Sequence, residues 1–73
     1  MTGQAAPDLD GYELSGKHGV WIIAEPDGGP VVAAFYTVKG SPGWWRGHSR
    51  GRVKQVFAPR AEPPAVAARF LRP

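Results

Sequence analysis

The hexapeptide Glu25-Pro26-Asp27-Gly28-Gly29-Pro30 constrains the fold more than any other stretch of the chain. Pro26 and Pro30 have no N–H to give to a strand ladder, and Gly28 and Gly29 can take the positive φ that a chain reversal needs. On either side stand runs of β-branched and aromatic residues, His18 to Glu25 (HGVWIIAE) and Val31 to Val38 (VVAAFYTV). Such residues suit a packed, pleated strand, so the pattern predicts an antiparallel hairpin. Both runs are apolar at odd and even positions alike, with Trp21 and Ile23 on one face and Val20 and Ile22 on the other. A hairpin of that kind needs cover on both sides.

The C-terminus supplies one cover. Ala65 to Arg72 (AVAARFLR) reads as a helix with Val66 and Phe70 at i, i+4 and Ala67 and Leu71 beside them. Pro63 or Pro64 fits its first turn, where a missing N–H costs nothing. The helix is too short to persist alone and must dock on the sheet. The second cover is either a partner or the N-terminal arm, where Tyr12 and Leu14 form an i, i+2 apolar pair suited to a short edge strand. After a turn at Lys39–Gly43, Trp44 to Gly47 and Arg52 to Phe57 form a second hairpin around His48-Ser49-Arg50-Gly51, and Ala58 to Pro64 is a Pro-broken connector. The expected class is α+β: a small twisted antiparallel sheet of three or four strands with one short C-terminal helix. Residues 1–10 are expected to be a flexible tail, and 11–73 a single small domain.

No cysteine is present among the 73 residues, which excludes disulfides and thiolate metal sites. Three Trp, three Phe and two Tyr must supply much of the burial, each worth roughly 150–250 Å². The first residues lack the basic start and apolar run of a signal peptide. No apolar run approaches the ~20 residues that span a bilayer. A cytoplasmic location without membrane attachment is the expectation.

Charge is distributed unevenly. Of the nine Lys and Arg, only Lys17 lies before residue 39, where it faces Asp8, Asp10, Glu13, Glu25 and Asp27. The later half holds Lys39, Arg46, Arg50, Arg52, Lys54, Arg60, Arg69 and Arg72 against Glu62 alone. An asymmetry of this kind points the later half toward something anionic. The competing account is a compositional bias toward Ala, Gly, Pro and Arg, as coding DNA rich in G and C favours.

Motifs for catalysis do not survive inspection. Gly11 to Lys17 matches GxxxxGK, but His18 stands where a magnesium-ligating Ser or Thr belongs, and a strand follows where a helix is required. Asp8-Leu-Asp10-Gly11-Tyr-Glu13 starts like a calcium loop whose closing Glu comes too early. His18 and His48 are the only imidazoles, and neither has an i, i+3 or i, i+4 partner for a metal. No nucleophile–base pair or carboxylate pair stands out. A non-enzymatic chain without cofactor or metal is expected.

The stretch Gly43 to Phe57 (GWWRGHSRGRVKQVF) is the strongest functional signal. Extended chain would place Trp44, Arg46, His48, Arg50, Arg52 and Lys54 on one face, and a turn at 48–51 would still let cross-strand pairing gather Arg46, Arg52 and Lys54. A ribbon carrying Arg and Lys can enter a DNA groove or track phosphates along a single strand, and an exposed Trp can stack on an unpaired base. The leading expectation is a nucleic-acid-binding module using those residues, with one of the two adjacent tryptophans in the core, the other (Trp44 in the leading reading) stacking, and Lys39 and Arg60 at the rim. The rival is a small accessory or inhibitory protein docking on a larger protein through the same Trp/Arg surface or the apolar first hairpin. A homodimer through an uncovered face is the third reading. Gly19-Val-Trp21, Asp27-Gly28 and Phe35-Tyr-Thr37 resemble in part the small DNA-binding domains of AP2 and integrase arm-binding type. In those families a helix follows the Phe-x-Thr-like strand end directly. Here Lys39–Gly43 and another hairpin intervene, and no membership is assigned.

Overall fold

The computed structural model describes Leu9 and residues 11–72. The tail expected over residues 1–10 lies outside the described residues except for Leu9. Among the described residues, five strands precede one helix: β1 (Glu13–Lys17), β2 (Val20–Ala24), β3 (Val31–Thr37), β4 (Trp44–Ser49), β5 (Arg52–Phe57) and α1 (Pro63–Leu71). Each strand pairs antiparallel with the next, in the order β1-β2-β3-β4-β5. The α+β class and the C-terminal helix match the sequence reading. The strand count is five, not three or four.

The added strand is β1, formed by a tight reversal, and a second tight reversal lengthens the expected β4–β5 hairpin. Lys17 pairs with Val20, leaving only His18 and Gly19 between β1 and β2, at φ 55° and 81°. Positive φ at both central residues is the two-residue turn whose twist matches that of the flanking strands. The GxxxxGK segment therefore ends with strand β1, and the hairpin turn follows it. Arg50 and Gly51, at φ 53° and 76°, repeat the device between β4 and β5. His48 and Ser49, expected in a loop, are strand residues paired with Val53 and Arg52. Between β2 and β3, Glu25 N–H donates to Pro30 O (3.0 Å) around the predicted Pro/Gly turn.

Paired residues share a face, so register assigns every strand side chain. On the first face lie Leu14, Gly16, Trp21, Ile23, Ala33, Phe35, Trp45, Gly47 and Val56. This face holds the core: Ile23, Ala33, Phe35, Trp45 and Val56 are buried together with Val66, Ala67 and Phe70 of α1. Phe35 is its centre, edge-on to Trp45 (centroids 5.7 Å apart) and stacked on Phe70 (5.2 Å). Gly47 is what lets the helix approach, because a Cβ there would stand 2.5 Å from the Phe70 ring. Leu9, Tyr12, Leu14 and Trp21 pack on the same core.

The helix begins at Pro63, two residues before the predicted start, with prolines filling the positions that donate no intrahelical bond. Strands β4 and β5 stand between β3 and α1, so the chain departs from the strand–helix order of the domains it partly resembles.

Candidate nucleic-acid interface

The second face of the sheet carries Ser15, Lys17, Val20, Ile22, Ala34, Tyr36, Trp44, Arg46, His48, Val53, Gln55 and Phe57. Among the described residues no element covers it. The N-terminal arm, as far as it is described, joins the core on the helix side. Large apolar groups on this face meet water: Trp44 is 40% exposed, Phe57 54% and Val53 60%.

Arg46 sits on β4, between the central strand and the β5 edge. Its cross-strand neighbours are Tyr36 on β3 and Gln55 on β5, and Trp44 and His48 flank it along β4. Two ring pairs bracket it. Trp44 and Phe57 lie opposite one another with centroids 5.2 Å apart and tilted by 49°. Tyr36 and His48 lie near-parallel at 5.8 Å, with the Tyr36 hydroxyl in hydrogen-bond contact with His48 Nε2 at 2.9 Å. The 44-to-48 spacing on an extended strand separates the two pairs by about 13 Å. Lys39 is exposed in the β3–β4 turn and Arg60 in the connector after Phe57, so both border the Trp44–Phe57 end.

No family model, curated protein or solved structure matches this chain.

The expected single cluster of cations is divided by the two-residue turn. Arg46 pairs with Gln55, while Arg52 pairs with Ser49 and Lys54 with Gly47. Arg46 and His48 therefore lie on the open face, and Arg52 and Lys54 on the helix face of an edge strand. Arg50 projects from the hairpin tip between them. The idea that cross-strand pairing gathers Arg46, Arg52 and Lys54 is corrected: Arg46 lies opposite Gln55, so the alternation that puts Arg46 on the open face puts Arg52 and Lys54 on the other.

The adjacent tryptophans separate as alternation requires. Trp45 is 8% exposed, and its Nε1–H donates to Ala58 O at 3.1 Å. Trp44 points to the open face. Sequence reasoning missed Tyr36, Phe57 and Lys17 as members of that face. Phe57 and Tyr36 are given no face by it, because nothing in the sequence tells which half of a doubly apolar strand remains uncovered. Arg72, at the far end of α1, was likewise not connected with Arg50, Arg52 and Lys54, although all four line one cleft.

Proposed function

We propose that this chain binds single-stranded nucleic acid on the open face of its sheet. The observation that carries the reading is Arg46 flanked by two solvent-facing ring pairs, Trp44/Phe57 and Tyr36/His48. Unpaired bases present π-faces that stack on aromatic side chains with little sequence preference, and a guanidinium between stacked bases reaches phosphate or base edges. A duplex hides those π-faces, so the exposure of Trp44 and Phe57 favours a single strand over groove insertion. Lys17 on the same face, with Lys39, Arg50 and Arg60 around it, supplies further phosphate contacts. In this reading Arg52 and Lys54 contribute from the reverse side of β5.

Binding is expected to quench tryptophan fluorescence, and log K should fall linearly with log salt, by about 0.7 per phosphate contact. A titration with single-stranded oligonucleotides at low ionic strength that leaves the emission unchanged would reject the proposal.

A protein partner is the second reading, favoured by the exposed Val53 and the half-exposed Val20 on the same face. A salt-resistant complex with a protein, or a concentration-dependent doubling of mass, without oligonucleotide binding would replace the first reading with this one.

A further inference from the structure

We propose that the cleft between the β4–β5 hairpin and the C-terminal end of α1 is a second site, built to hold phosphate groups. It lies on the helix side of the sheet and does not depend on the open-face reading. The cleft is open to solvent on one side and has a volume of about 680 Å³. Arg50, Arg52, Lys54 and Arg72 line it above an apolar floor that includes Phe70 and Leu71. No acidic side chain is part of its wall.

Three guanidiniums and an ammonium around one cavity repel each other, and an anion with several oxygens offsets that repulsion. Guanidinium forks match pairs of phosphate oxygens, while Lys supplies a point charge. One opposing field has to be answered: the C-terminal end of a helix is the negative end of its dipole. Lys54 answers it, because its Nζ donates to the carbonyl of Arg69 in the last turn of α1 at 3.1 Å. That bond fixes the ammonium on the cleft wall and leaves two of its three donors for a ligand.

The hairpin tip gives independent support. Arg50 holds a left-handed φ of 53°, a turn position that Asn or Gly fills at lower cost. The strained residue places a guanidinium at the cleft rim, where an unstrained one would bring none.

The phosphate has two possible sources: the backbone of a strand passing over the β5 edge, or a free phosphorylated small molecule. Titration of the full chain with inorganic pyrophosphate at low ionic strength, followed by amide NMR, tests the site. Saturable shifts are expected at residues 49–54 and 70–72. The double variant Arg52→Gln/Arg72→Gln, altered only at exposed positions, should bind at least about tenfold more weakly. Displacement of a bound oligonucleotide by pyrophosphate would assign the phosphate to the strand backbone. Simultaneous binding would assign it to a separate small molecule. The absence of saturable shifts, or unchanged affinity in a double variant whose spectrum stays dispersed, would overturn the proposal. Either result leaves oligonucleotide quenching at Trp44 as a separate readout of the open face.

Discussion

Trp44 and Trp45 show how one step along a strand divides structure from function. Trp45 is buried against Phe35 and bonded to the Ala58 carbonyl, so it ties the start of β4 to the chain leaving β5. Its neighbour lies beside Phe57 on the other face and is 40% exposed. Their variants should therefore differ in kind. Trp44→Ala should weaken oligonucleotide binding by about 1–3 kcal/mol, the measured worth of one stacked base, with little change in melting temperature. Trp45→Phe should lower stability by about 1 kcal/mol through the lost hydrogen bond while leaving affinity unchanged. Thermal melts and fluorescence-anisotropy titrations of the two variants check both. The sequence made it legible that one indole is core, since so small a chain cannot seal both on opposite faces. Which one depends on register, and register is set by contacts remote in sequence, such as Gly47 beneath Phe70.

At the scale of elements, turns decide the site. The Pro/Gly turn at 25–30 announces itself by composition and was readable, as were β2, β3 and the helix stripe of Val66 and Phe70. The reversal at His18-Gly19 was not, and the one at Arg50-Gly51 reads in the sequence as a four-residue loop, because each puts a non-glycine residue at positive φ where Asn is the usual signal. Missing the first leaves β1 as an edge strand or an arm, and the grouping of Arg52 and Lys54 with Arg46 overlooks that Arg46 lies opposite an odd-numbered residue of β5. The tip also predicts a trade between stability and binding. Arg50→Asn should raise stability by about 1 kcal/mol by easing the left-handed conformation, and should weaken pyrophosphate binding. Differential scanning calorimetry beside the pyrophosphate titration reads both effects. Helix docking has its own sensitive point. Gly47→Ala drives a methyl into the Phe70 ring and should cost about 1–3 kcal/mol as overpacking, visible as a lower urea midpoint.

For the molecule as a whole, the deciding fact is that one nine-residue helix serves a sheet of five strands. It closes a core centred on Phe35 on one side and leaves the other side, with its rings and Arg46, to solvent among the described residues. Doubly apolar strands announced the need for two covers, and the sequence could not say which face the helix takes. The later-half charge excess was legible as well. Its division between the open face and the cleft follows from a topology that brings the end of α1 beside β5. The indole N–H signals of the three tryptophans test the central claim most directly. On addition of a single-stranded oligonucleotide at low salt, the Trp44 signal should shift and broaden, while the Trp45 signal, held by Ala58, stays in place. A bound oligonucleotide that leaves Trp44 unmoved, or an unchanged spectrum at saturating concentration, would contradict the account.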